Sequence, residues 1–209
     1  MKILNAKTVV AYVIIFLWCI GCAAQPSIIS AQPEAKVTDI ITMETSKGTI
    51  VIGLYGADAP RTTENFVGLA TKAFYSGILF HRIVPGFVIQ AGDPTTKNPN
   101  AKSRWGTGGE SIFKGEFADE LNGDAPSYRA GYARGVLAMA NSGPNTNLSQ
   151  FFFCLADLNE LPKNYTIFGK VLSGMEVVDA IASVPTENSV PKEPISIVST
   201  KVEKPKTQK

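Results

Sequence analysis

Arg82 is the side chain in this 209-residue sequence best equipped for chemistry. It lies in Phe80-His81-Arg82-Ile83-Val84-Pro85-Gly86-Phe87-Val88-Ile89-Gln90. A second stretch of similar character runs from Met139-Ala140-Asn141-Ser142-Gly143-Pro144-Asn145-Thr146-Asn147 to Ser149-Gln150-Phe151-Phe152-Phe153. A guanidinium stays charged at every working pH and presents a rigid fork of N–H donors. Chemistry built on such a donor needs no titrating group. Metal chemistry is poorly served, because one histidine and three cysteines leave no plausible zinc site. Gly106-Thr107-Gly108-Gly109 lets backbone approach closely, but it lacks the Lys-Ser/Thr that completes a phosphate loop. The net charge of +2 is too small for a dedicated nucleic-acid binder.

Short strands must hold these residues. Asp39–Ser46 and Thr49–Tyr55 flank the turn signal Lys47-Gly48 and predict a hairpin. Pro60 opens a helix with Phe66, Leu69 and Ala70 on one face. A second helix follows Gly174, with Met175, Val178 and Ile181 at helical spacing. Further strands are predicted at Leu79–Val84, Phe87–Ala91, Val136–Asn141, Gln150–Leu155 and Thr166–Val171, and Ile195–Val202 alternates as a closing strand. The expected fold is mainly β, a closed antiparallel barrel whose ends are covered by the two helices. Pro94–Arg104 and Asn122–Ala133 read as solvated loops.

The two stretches resemble the segments that build the active face of the cyclophilins, the barrel-shaped peptidyl-prolyl cis-trans isomerases. The resemblance covers roughly Asp39 to Lys201. It implies an eight-stranded barrel plugged by two helices, no cofactor, and proline-containing polypeptides as substrates, and the protein is expected to be monomeric. Rotation about an X–Pro bond meets a barrier near ~20 kcal/mol, because the nitrogen lone pair is delocalised into the carbonyl. A catalyst must grip the ring, hold one side of the amide and favour the twisted state with a pyramidal nitrogen.

On this resemblance Arg82 is the donor to that nitrogen, and Phe87, Val88, Phe152 and Leu161 line the proline pocket. Gln90 beside Arg82, and Asn141 chiefly through its backbone, hydrogen-bond the peptide, with Ala140 alongside. Gln150 is divided between substrate contact and support. His81 is expected to touch substrate at the groove rim without transferring a proton. The turn Gly106–Gly109 borders a neighbouring pocket for residues before the proline. The expected catalytic set is therefore Arg82, His81, Gln90, Phe87 and Asn141. The expected substrate-binding set is Phe87, Val88, Gln90, Ala140, Asn141, Gln150, Phe152, Leu161 and Tyr165.

Three positions depart from the family pattern. Val88 stands where many members have Met. In Leu158-Asn159-Glu160-Leu161-Pro162, Glu160 takes the ungapped place of a Trp that contacts cyclosporin. Tyr165 replaces a frequent His, as in prokaryotic members, and still closes the pocket with a hydroxyl. Isomerase activity is expected to survive these changes while cyclosporin binding weakens. Asn147-Leu148-Ser149 and Asn164-Tyr165-Thr166 match the glycosylation triplet but fall inside the active-face motifs, so we read both as coincidental.

The first 22 residues carry Lys2 and Lys7 ahead of an apolar run, Val9 to Ile20, too short for a ~20-residue membrane span and fitting a signal peptide. Cys19-Ile20-Gly21-Cys22 resembles a bacterial lipobox, in which Cys22 is lipidated. The expectation is an exported lipoprotein, membrane-attached in the periplasm or at the cell surface. Simple secretion after cleavage behind Ala24, or an uncleaved anchor, stays open. Residues 23–37 read as a flexible tether, residues 38–201 as the domain and residues 202–209 as a polar tail. Cys154, alone in an apolar strand, reads as a buried thiol. Two other classes remain open: a module that docks proline-containing loops without turnover, and a surface lipoprotein whose loops bind a partner.

Overall fold

The computed structural model describes residues 34–206. The signal peptide, Cys22 and most of the tether lie outside the described residues. Ten strands, three α-helices and two 3₁₀ helices follow one another along these residues. The hairpin forms as expected from β1 (Asp39–Thr45) and β2 (Gly48–Leu54), paired from Asp39↔Leu54 to Thr45↔Gly48. Gly48 makes the turn at φ +132°, backbone that residues with a Cβ rarely adopt.

Helix α1 (Pro60–Thr71) follows, then β3 (Arg82–Val84) and β4 (Val88–Ala91). Next come α2 (Pro126–Ala130), β5 (Val136–Met139), β6 (Phe151–Cys154), β7 (Ile167–Ser173) and α3 (Met175–Ala182). The short pair β8 (Thr186–Glu187) and β9 (Val190–Pro191) stands apart, and β10 (Ile197–Glu203) ends the fold. Eight strands make one antiparallel sheet in the order β10-β1-β2-β7-β5-β6-β4-β3.

The eight-stranded antiparallel sheet agrees with the expected fold in strand number and direction, with β10 and β3 at its ends. Other expectations need correction. Only three residues of the predicted strand Leu79–Val84 form a ladder with β4; before them the chain crosses to Ile195–Ile197. There Gly77 donates to Ile197 O at 2.8 Å, Ile197 to Ile78 O at 2.8 Å and Phe80 to Ile195 O at 2.9 Å. A third helix, α2, occupies the segment read as a loop, with Pro126 at its first turn. Pro94–Arg104 is also ordered, as 3₁₀ helices Pro94–Lys97 and Pro99–Arg104. Each starts at an Asx-Pro step whose side chain accepts a backbone N–H: Asp93 from Thr95 at 2.8 Å and Asn98 from Asn100 at 3.0 Å. Val202 and Glu203, assigned to the tail, belong to β10 because β1 offers them partners at Ile41 and Ile40.

The core explains the strand pattern. Successive strand residues face opposite sides of a sheet. Ile89 and Ala91 of β4, Leu137 and Met139 of β5, and Phe151 and Phe153 of β6 point into the main core. They meet Phe66 and Leu69 of α1 and Val178 and Ile181 of α3, which are the helix faces the sequence predicts. Phe66 packs at 4.8 Å from Tyr75 and at 5.3 Å from both Phe151 and Phe168, centroid to centroid. Burying each such ring removes apolar surface worth roughly 1.5–3 kcal/mol from water. Ala59 offers α1 no capping side chain, and Glu120 supplies the cap from across the fold. Its carboxylate accepts from Arg61 N at 3.0 Å and Thr62 N at 2.8 Å.

Candidate active site

The opposite face of β3, β4 and β6 carries the site. Register pairs Arg82 with Gln90, and Gln90 with Phe152, so three candidate residues form one row across three strands. Each projects away from the core because its strand neighbours Ile83, Ile89 and Phe153 are wholly buried. The turn Val84-Pro85-Gly86-Phe87 returns the chain from β3 to β4, with Gly86 at φ +73° and Phe87 N bonded to Val84 O at 3.0 Å. Pro then Gly at the centre is what a type II turn requires. It lays the Phe87 ring 5.9 Å from the Arg82 guanidinium carbon.

Arg82, Phe87, Val88, Gln90, Ala140, Asn141, Phe152, Leu161 and Tyr165 enclose a cavity of about 170 Å³. All nine were nominated from sequence. Phe152 meets Tyr165 edge-on at 5.5 Å, and Tyr165 meets Tyr132 at 6.4 Å. Tyr132 is the supporting residue that sequence reasoning missed. Its hydroxyl donates to Tyr165 O at 2.9 Å and accepts from Tyr165 N at 3.0 Å, holding the pocket wall. Nothing in its local sequence marks it, since its partner is 33 positions away.

A chain of amides backs the row. Arg82 Nη1 approaches Gln90 Oε1 at 3.5 Å, Gln90 Nε2 donates to Gln150 Oε1 at 2.9 Å, and Gln150 Nε2 donates to Gly106 O at 3.0 Å and Gly108 O at 2.6 Å. Gln150 therefore supports Gln90 and does not line the proline-sized cavity. The buried Asp93 carboxylate accepts from Gly106 N at 2.5 Å and Gly108 N at 3.2 Å, so the turn is fixed from both sides. Asn141 uses its side chain within the protein, donating to Asn164 O at 2.9 Å. Asn147 of the first glycosylation triplet is fully buried.

His81 departs from its expected place. It lies beneath the groove rim at 5% exposure and is absent from the cavity wall, because alternation turns it inward when Arg82 faces out. Neither ring nitrogen makes a well-formed hydrogen bond among the described residues, although the Leu79 backbone and the Gln150 side chain lie close enough to favour the charged ring. Burial lowers its pKa below the ordinary 6.5, against the opposing pull of Asp93. Burial likewise pushes the Cys154 thiol up to about 12, leaving it inert.

This location gives a pH prediction. The unfolded chain protonates His81 below about pH 6.5, while the fold resists until a lower pH. Over that window the unfolded state holds more protons, so stability falls as pH falls, by at most about 1.4 kcal/mol per pH unit. Denaturant titrations of the wild type and His81→Gln should show this slope only in the wild type. Over about pH 6–8, the expectation of a guanidinium donor implies a flat kcat/KM, because a guanidinium is charged at every working pH. A bell-shaped rate profile would contradict that.

A family model for cyclophilin type peptidyl-prolyl cis-trans isomerase/CLD matches residues 40–202. Peptidyl-prolyl cis-trans isomerase CYP18-2 of Arabidopsis thaliana is 43% identical over 174 residues, 83% of this chain and 98% of that protein. Peptidyl-prolyl cis-trans isomerase ppi1 of Schizosaccharomyces pombe is 43% identical over 159 residues, 76% of this chain and 95% of that one. A crystal structure of a Cryptosporidium parvum cyclophilin type peptidyl-prolyl cis-trans isomerase superimposes with a TM-score of 0.71 at 32% identity, covering 81% of this chain and 99% of that chain. A second structure of that protein, in the presence of the dipeptide Ala-Pro, gives a TM-score of 0.70 at 32% identity and covers 79% and 99%. The chain belongs to the cyclophilin family, and with it to the peptidyl-prolyl cis-trans isomerases.

Proposed function

We propose that this protein accelerates X–Pro rotation in exported or unfolded polypeptides, with Arg82 donating to the prolyl nitrogen over an apolar pocket. The observation that carries this reading is the row Arg82, Gln90 and Phe152 beside a cavity of about 170 Å³. Phe87, Val88, Phe152 and Leu161 grip the ring. Gln90 and the backbone at Asn141 hold one side of the amide. As the bond twists, the nitrogen regains its lone pair, and an N–H of the guanidinium binds it more strongly than the planar amide. The solved relative studied with Ala-Pro supports a proline-sized occupant. A pure docking module has no need of an exposed Arg82 at this spot. Turnover of a short proline peptide, measured with and without Arg82, tests the assignment.

We also read the bonds between Gly77–Phe80 and Ile195–Ile197 as the seam that closes the sheet into a barrel. The N-terminal sequence supports export with lipid on Cys22. Cys22→Ser should then release the protein from the membrane fraction into the soluble one, with no lipid on its N-terminus by mass spectrometry. Unchanged processing and partitioning would favour simple secretion or an uncleaved anchor instead.

A further inference from the structure

From Asn65 to Gly109 the chain holds five cations, Lys72, Arg82, Lys97, Lys102 and Arg104, against a single acid, Asp93. Asp93 is wholly buried, and its carboxylate is engaged by the backbone N–H groups of Thr95, Gly106 and Gly108. Lys72, Lys97, Lys102 and Arg104 are all exposed and enter none of the salt bridges among the described residues. None of the four lines the proline cavity, so the isomerase reading leaves them unused.

These charges stand on a prebuilt platform. The two 3₁₀ helices are tied to the chain between α1 and β3: Leu79 N donates to Thr96 Oγ1 at 3.0 Å, and the buried Thr96 hydroxyl donates to Asp93 O at 2.7 Å. Lys97 Nζ donates to Phe74 O at 2.8 Å and lies 5.5 Å from the centre of the Phe74 ring. That contact brings the loop against the end of α1, where Lys72 is the C-terminal cap. Lys102 Nζ lies 5.9 Å from the centre of the Trp105 ring, whose Nε1 donates to Asn98 O at 3.3 Å. Thr107 holds the carbonyl of Arg104 through its N at 3.1 Å and its Oγ1 at 2.7 Å. An ammonium has three donors, so the one bond of Lys97 leaves two for a ligand. The cations spread over the end of α1 and both 3₁₀ helices, which suits a charged plane better than one acidic side chain. Phe74 and Trp105, both half-buried, lie among them, and aromatic rings beside cations suit the headgroup layer of a bilayer.

We propose that this face docks the domain on a membrane surface rich in anionic phospholipid, with Lys72, Lys97, Lys102 and Arg104 on the headgroups and Trp105 at the interface. The docking depends neither on isomerase activity nor on lipid at Cys22. Each cation near such a surface strengthens association about five-fold, and the attraction fades within a Debye length, so salt weakens it.

The test uses the full chain carrying Cys22→Ser, so that no acyl chain masks the difference, and co-sedimentation with phosphatidylcholine vesicles made with or without phosphatidylglycerol. At low salt this parent should prefer the anionic vesicles. Replacing all four cations by Gln should weaken that binding roughly 100-fold, and each single replacement about three- to five-fold, with binding to neutral vesicles unchanged. Salt at about 0.5 M should remove the preference as well. Circular dichroism and turnover of a proline peptide should match the parent. Should the fourfold variant fail that control, Lys102→Gln with Arg104→Gln keeps the bond of Lys97 to Phe74 and should still weaken anionic binding more than ten-fold. Equal binding of the parent to both vesicle types, or a preference that the substitutions leave undiminished, would overturn the proposal. Capture of polyglutamate through these residues, with no binding to anionic vesicles, would overturn it in favour of an acidic polypeptide.

Discussion

Arg82→Ala is expected to lower kcat/KM by roughly 10²–10³-fold, equivalent to about 2.7–4 kcal/mol of transition-state stabilisation, the usual scale for removing one pre-aimed donor. On the proposed mechanism the loss should appear mainly in kcat, because the guanidinium would meet the prolyl nitrogen fully only once that nitrogen is pyramidal. The proposed ground-state grip is by Phe87, Val88, Phe152 and Leu161, cavity residues that the substitution leaves in place. Stability should hardly change. Arg82 is exposed, its guanidinium reaches Gln90 only at 3.5 Å, and its neighbour Ile83 carries the core contact of β3. Arg82→Lys keeps the charge but loses the rigid fork, and should recover only part of the rate. An isomerisation assay on a short peptide, with circular dichroism as the control for folding, checks all three proteins. Near wild-type turnover in Arg82→Ala would sink the mechanism.

Cyclosporin should bind this protein about 10–100-fold more weakly than it binds family members that keep the Trp, a loss of ~1–3 kcal/mol. The loop Leu158–Leu161 closes on itself through Leu161 N to Leu158 O at 3.0 Å and sends Leu161 to the cavity wall. Glu160, one position earlier, is exposed and lies outside that wall. If it takes the place of the family's Trp, it would bring a carboxylate toward an apolar macrocycle without the indole N–H. Glu160→Trp should regain part of the affinity while leaving the Arg82 donor untouched. Calorimetric titration of both proteins decides it: tight binding by the wild type, or no gain in the Trp variant, would remove Glu160 from the explanation.

The sequence was most legible where neighbouring residues carry the signal. Lys47-Gly48 marked the hairpin turn, and the spacing of Phe66 with Leu69 and of Val178 with Ile181 marked the buried helix faces. All nine cavity residues were nominated because two continuous motifs contain most of them. The run Phe151-Phe152-Phe153 was ambiguous, since eleven phenylalanines must serve both core and pocket. Strand alternation resolved it: Phe151 and Phe153 face the core and Phe152 faces the site. The same alternation overturned the rim position expected for His81.

By itself, the sequence determined the strand-rich pattern and the two helix faces, and its resemblance to the family named the residues that line the cavity. The strand pattern and helix faces follow from local turn chemistry and from side-chain periods of 2 and 3.6. Tertiary structure decided that Gln150 braces Gln90 and the Gly106–Gly108 turn, that Tyr132 supports Tyr165, and that Glu120 caps α1. It also set β3 and β10 at the ends of the sheet. Those contacts join residues 33 to 60 positions apart. Their partners are chosen by strand register and chain crossing, which no local pattern encodes.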